Sequence, residues 1–311
     1  MLLFVGPTPA IARVMEFDRL SLDGVNRAAR TTSVAAGKAI NAARAAVLVG
    51  AENVFASGFA GGLTGDELMT GVTACGIRPQ LTRVSAPTRV CVTVIDQVTH
   101  TATELVEESH PVESEDYERL LADISAIIRS EKSGTLNLCG SLTPGGPTDF
   151  YAKCVRLGKA AQWQTIIDAT GEPLRLAIGE HPDWIKPNSQ ELAKAMGFNP
   201  ADESALLAHA RLLAEAGTNS LITRGAQPAL LSAAGESYWF TVPAVTAVSP
   251  IGSGDSVTGV LAASLSAGKS PIESTTAALA AGVANVLTPL PAMFELTEFR
   301  IFGRMITRQR C

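Results

Sequence analysis

Gly252-Ser253-Gly254-Asp255 sets a tight turn and a carboxylate at what reads as the start of a helix. Val257, Val260, Leu261 and Leu265 recur behind it at helical spacing, and Gly268 suits a left-handed cap. The free N–H groups of a helix start, with the positive end of its dipole, form an anion site. A carboxylate beside such a site is out of place unless it takes a proton from a nucleophile attacking phosphorus. The simpler alternative makes Asp255 an ordinary helix cap after a glycine turn. Four residues alone do not decide between them.

Composition narrows the setting. A chain of 311 residues, 46% apolar and 18% charged, has the core of one large α/β domain or two smaller ones. A net charge of −5 argues against a nucleic-acid partner, while a local basic pocket could still take an anionic substrate. The five cysteines form no CxxC pair and the four histidines are scattered, so neither a disulfide frame nor a metal cluster is expected. The opening MLLFVGPTPA lacks a basic leader and reads as a first strand, and no 18-residue run escapes polar interruption. No membrane partner and a cytoplasmic location are expected.

The elements that must position Asp255 alternate. Leu2–Val5 reads as a strand, Lys38–Val49 as a small-residue helix closed by Gly50, and Asn53–Phe59 as a strand. Gly61–Gly65 reads as a flexible loop before a helix over Asp66–Cys75. Thr88–Ile95 alternates as a strand, Thr101–Glu107 pairs with it, and with the weakly extended residues 13–32 they suggest a small separate sheet. Beyond the amphipathic helix marked by Tyr117, Leu120, Ile124 and Ile128, strands and helices alternate regularly to a hairpin at Gly235. Two helices, about Ile272–Leu287 and Leu296–Thr307, close the chain. The pattern predicts an α/β fold: a mainly parallel sheet with helices on both faces, and a small β lid from about 12–33 and 86–108. Ligands of such sheets lie beyond the carboxyl ends of the strands.

Two phosphate-loop motifs are missing. Ala36-Gly37-Lys38-Ala39 lacks the features of GxxxxGK[ST], and Val257 occupies the third glycine of GxGxxG. An ordered series runs nearly end to end instead: PAI at Pro9–Ile11, GVNR at Gly24–Arg27, GK-IN at Gly37–Asn41, GF-GG-TG at Gly58–Gly65 and TR at Thr88–Arg89. TE at Thr103–Glu104, GSL at Gly140–Leu142, D-TGE at Asp168–Glu172, IKPN--EL at Ile185–Leu192, IGSGDS at Ile251–Ser256 and AAG-AN at Ala280–Asn285 complete it. This series resembles the ribokinase-like (PfkB) carbohydrate kinases, and most of all their 1-phosphofructokinase and tagatose-6-phosphate kinase branch.

The resemblance implies ATP-dependent phosphorylation of a sugar or sugar phosphate by a single domain spanning 1–311. Asp255 would be the general base, and the amides of Gly252, Ser253, Gly254 and Asp255 the anion hole. Asn188 and Glu191 would order Mg²⁺ through water, although the same spacing makes a helix capping box. Thr223 and Gly225 would face ATP, and Asn285 would pack near its adenine. Lys38 and Arg89, with Gly37 and Asn41 beside them, would hold the acceptor and its phosphate. Arg27 would add to that pocket from either subunit of a homodimer paired through the lid.

Departures from the family pattern cluster on the acceptor side. Thr8 and Ala12 stand where NPAID is usual, Ala36 and Ala39 replace two glycines, and Cys91 and Val106 replace two lid amides. The segment after Asn285 becomes PLPAMF. A pocket stripped of a carboxylate and two amides cannot recognise the usual polyol in the same way. Three readings follow: a sugar or sugar-phosphate kinase with a diverged acceptor pocket, a kinase for a nucleoside or other small alcohol, or a non-catalytic sensor of a phosphosugar or nucleotide.

Overall fold

The computed structural model describes residues 1–311. β1 (Leu2–Val5) leads into β2 (Ala10–Phe17) and β3 (Arg30–Ala36), from which Gly37 returns the chain to α1 (Lys38–Leu48). β4 (Val54–Ala60), α2 (Gly62–Ala74) and β5 (Arg78–Arg83) precede a second excursion, β6 (Arg89–Asp96) and β7 (Thr101–Val106). Alternation then becomes regular through α3 (Ser114–Ser130), β8 (Thr135–Cys139), α4 (Phe150–Ala160), β9 (Gln164–Asp168) and α5 (Gly171–Ile178). It continues through β10 (Trp184–Ile185), α6 (Ser189–Met196), α7 (Glu203–Glu215) and β11 (Asn219–Arg224). The hairpin β12 (Gln227–Ala233) and β13 (Glu236–Thr241) precedes α8 (Ser253–Ser266), α9 (Pro271–Asn285), α10 (Leu296–Met305) and β14 (Thr307–Arg310).

The main sheet has ten strands in the order β14-β13-β12-β11-β10-β9-β8-β1-β4-β5. From β11 to β5 every pairing is parallel, and the three strands beyond β11 run antiparallel. β1 shows why the sheet is covered on both faces. Leu2 and Phe4 join the core beneath α1, α2, α8 and α9, whereas Leu3 and Val5 join that beneath α3 to α7. Successive strands leave β1 in opposite directions, to β4 and to β8, which opens a crevice at their carboxyl ends.

β3-β2-β6-β7 form the separate four-stranded sheet. Residues 13–32, which look only weakly extended, contribute to a regular antiparallel pair from Ala10↔Ala36 to Glu16↔Arg30. Gly61–Gly65 is not a loop, since α2 begins at Gly62. A Cβ on Gly61 would lie 2.0 Å from the Ala86 carbonyl oxygen, so that glycine serves a close crossing. The last helix stops at Met305, and Thr307–Arg310 adds a strand to β13. β5 and β14 carry too many charged residues for their alternation to stand out in the sequence.

Candidate active site

Gly252 takes the left-handed conformation (φ 81°, ψ −2°) that turns the chain into α8. A Cβ there would sit 2.6 Å from Pro291 Cβ, so both backbone angle and close approach require glycine. Ser253 spends its amide and its hydroxyl on the Pro250 carbonyl, at 3.3 and 2.8 Å. Fewer amides are therefore free at this helix start than the four expected. The amides of Gly252, Gly254 and Asp255 donate to no acceptor in the chain.

Asp255 follows these amides and is 9% exposed. Burial raises its carboxyl pKa, with Asp168 adding to the rise, while Lys38, Asn41 and Lys186 oppose it. Asn41 Nδ2 donates to Asp255 Oδ2 at 2.7 Å. Arg44, one turn along α1, donates to Asn41 Oδ1 at 3.3 Å, to the Pro291 carbonyl at 2.8 Å and to the Ala35 carbonyl. One buried guanidinium thus ties the neighbour of Asp255 to the wall against Gly252. A carboxylate made more basic than usual is the better suited to receive a proton.

Asp168, at the carboxyl end of β9, is the hub of a second cluster. Its Oδ1 lies 3.1 Å from Lys38 Nζ, and its Oδ2 lies 3.2 Å from Lys186 Nζ and 2.6 Å from the donating Thr258 hydroxyl. Burial pushes the Asp168 carboxyl up, but Lys186, Lys38 and the Thr258 hydroxyl together overcome it and hold it at about 2. A depressed carboxylate stabilises the fold above its unfolded value near 3.8 and loses that contribution as pH falls through about 2. Acid unfolding followed by circular dichroism should therefore show a loss on the order of 2 kcal/mol in that window, absent from Asp168→Asn. An unchanged profile in the variant would contradict the assignment.

Lys38, expected at the acceptor's phosphate, is held by two carboxylates of the chain itself. It bridges Asp168 and Glu191, whose Oε1 is 3.5 Å away, and Asp168 is the main cause of its raised pKa. Asn188 and Glu191 form the reciprocal capping box of α6, each side chain accepting from the other's amide at 2.8 Å. Glu191 Oε1 faces Lys38 at 3.5 Å, and it is a hard oxygen of the kind that could hold a hydrated Mg²⁺. Thr223 bridges to Asn188 in parallel, and Gly225 turns β11 into β12 at φ +63°. Asn285 does not line the cleft. It is fully buried, donates to the Ile251 carbonyl at 2.9 Å and accepts from the Ala292 amide at 2.6 Å, which braces the glycine turn.

Arg89 donates to the Thr8 carbonyl at 3.1 Å and to the Glu107 carbonyl at 3.2 Å, and its buried Nε has no partner. Gly37 is a crossing point, since its Cβ would lie 2.8 Å from Pro9 Cα. Arg27 is not brought to this cluster within the chain. It is exposed in the β2–β3 connection, at the opposite end of that hairpin from Gly37. Arg44, Lys186, Asp168 and Thr258 join these clusters although no motif role marks them in the sequence. Asp168 and Lys186 stand at the carboxyl ends of central strands, a position that could have marked them.

The model of the pfkB family carbohydrate kinases matches residues 7–293. Tagatose-6-phosphate kinase of Staphylococcus epidermidis is 28% identical over 271 residues, 85% of each chain. The possible 1-phosphofructokinase of Thermotoga maritima superposes with a TM-score of 0.90 at 19% identity, over 100% of this chain and 99% of that one. Phosphofructokinase-2 of Escherichia coli superposes at 0.89 with 20% identity over 98% of each. These two likenesses bear out the expected fold, central sheet and lid together. With most of its length matched, the chain belongs to the pfkB family of carbohydrate kinases.

Proposed function

We propose that this kinase transfers the γ-phosphoryl group of ATP to a hydroxyl of a sugar phosphate. The observation that carries the reading is Asp255, buried beside three unpaired amides and raised in pKa. Asp255 takes the proton of the acceptor hydroxyl while its oxygen bonds to the γ-phosphorus. The bond from that phosphorus to the bridging oxygen breaks, and ADP leaves. The amides of Gly252, Gly254 and Asp255 hold the oxygens of the moving group, and Lys186, whose Nζ would lie 3.6 Å from a Cβ on Gly254, neutralises charge beside them. Arg89 holds the acceptor's phosphate, and Thr223 and Gly225 border the nucleotide.

Asn188 and Glu191 would hold Mg²⁺ through water, and the ion would neutralise the nucleotide phosphates. The chain works as one unit over residues 1–311 with its β lid. Exposed Leu22, Val25 and Leu105 on that lid support a homodimer paired through it, with Arg27 supplied across the pair. A monomeric mass by light scattering would overturn the dimer. No helix is long and apolar enough to cross a membrane, which fits a cytoplasmic enzyme.

The test is ADP release with ATP and Mg²⁺ over a panel of sugars and sugar phosphates. Turnover dependent on a phosphosugar is expected. A complete lack of acceptor-dependent turnover would sink the reading in favour of a sensor. Within the same assay, Gly252→Ala should lower kcat about 100-fold, the scale of losing an oxyanion donor, because its Cβ displaces the turn from Pro291. Retention of kcat within a few fold would show that the turn does not hold the phosphoryl group.

A further inference from the structure

The register of the lid sorts its side chains onto two faces. Partners across β3, β2, β6 and β7 fall in rows, because paired residues point the same way. The first row holds Ala36, Ala10 and Arg89, the second Val34, Ala12, Cys91 and Val106, and the third Thr32, Val14, Thr93 and Glu104. The opposite face carries Ile11, Ala35 and Val90, which join the core with Leu68 and Val72 of α2, and Ser33, which donates to Glu67 of α2 at 2.7 Å. The face with Arg89 is therefore turned away from α2.

Arg89 shows what this face overlooks. Its guanidinium reaches the Thr8 carbonyl, and the Thr8 hydroxyl donates to the Ser141 carbonyl at 3.2 Å, just past β8. A Cβ on Gly140 in that same stretch would lie 3.5 Å from Lys38 Cβ. The face thus overhangs the carboxyl ends of β1 and β8, beside the cluster that contains Lys38. A molecule with an anionic group at Arg89 meets the second row next.

That row has no charge and no strong hydrogen-bonding group. Its one heteroatom is the Cys91 thiol, a weak donor that behaves as a small apolar group. A hydroxyl pressed against it loses water and gains no partner. We propose that the acceptor is a phosphorylated sugar with a hydroxyl-poor face, a deoxy or alkyl-bearing carbon, turned toward Val34, Ala12, Cys91 and Val106. The proposal rests on the sugar-phosphate kinase reading and narrows its substrate class.

The experiment compares ketose and aldose phosphates with their monodeoxy analogues, one carbon at a time, by kcat/KM. At least one deoxy acceptor should exceed its parent about tenfold in the wild-type enzyme, the scale at which an apolar pocket separates such pairs. Cys91→Asn, which restores an amide to the row, should shrink or invert that ratio. Binding of the same pairs to Asp255→Asn, with a non-hydrolysable ATP analogue present, reads the preference without chemistry or a lid substitution. A parent sugar phosphate favoured over all its deoxy analogues overturns the inference and leaves the kinase reading standing. Neither turnover nor binding of any phosphosugar overturns both.

Discussion

Asp255→Asn should lower kcat by about 10³-fold, within the range of a lost general base, while the KM of the acceptor changes little. Asn41 Nδ2 can still donate to the new side-chain oxygen, so the geometry of the α8 start is kept. The same substitution should leave thermal stability equal or higher. Because burial raises the folded pKa of Asp255, its contribution to stability is fully present below the unfolded carboxylate value and is lost as pH rises through the folded one. Above its folded pKa the ionised side chain therefore opposes folding, and a neutral amide removes that opposition. The acid limb of kcat/KM should also lie above the ordinary aspartate range. A variant within tenfold of wild-type kcat would remove Asp255 from proton transfer, and a large drop in Tm would show a structural role instead.

Lys186→Met should cost about 3 kcal/mol of stability, because it leaves a buried carboxylate short of a partner. Lys186 and Asp168 side chains are 4% and 1% exposed, so water cannot replace the lost ammonium. Lys38 remains on the other carboxylate oxygen and keeps the loss from being larger. For a chain of 311 residues this corresponds to a fall in Tm of roughly 5 °C. Adding Asp168→Asn should recover most of the stability, since no buried charge is then unpaired, but not the activity. Turnover should fall about 100-fold in both, as the cation beside Gly254 is gone. Equal Tm for Lys186→Met and wild type would show that the pair contributes nothing.

Local patterns made much of this architecture legible. The regular alternation after Tyr117 and the helix behind Asp255 depend on residues a few positions apart, and the structure has them where spacing places them. The Asn188–Glu191 capping box is equally local. By contrast, Gly61–Gly65 misleads because glycine tolerates loops and also permits the crossing against Ala86, and only the crossing partner distinguishes these uses. Residues 13–32 carry little alternation because one edge of the lid faces solvent, so pairing across the sheet, not hydrophobic pattern, defines those strands.

From its sequence alone this protein has its layer order, its glycine turn with an adjoining acid, and the family to which those motifs belong. Tertiary structure alone assigned Lys38 to Asp168, 130 residues away, and Asn41 to Asp255, 214 residues away. It alone made Asn285 a brace and gathered Ala12, Cys91 and Val106 into one row. The physical reason is that side-chain type and spacing govern contacts within a turn or a strand. Which charge meets which in a buried cluster depends on how separate strands end in space, and a list of residues does not contain that.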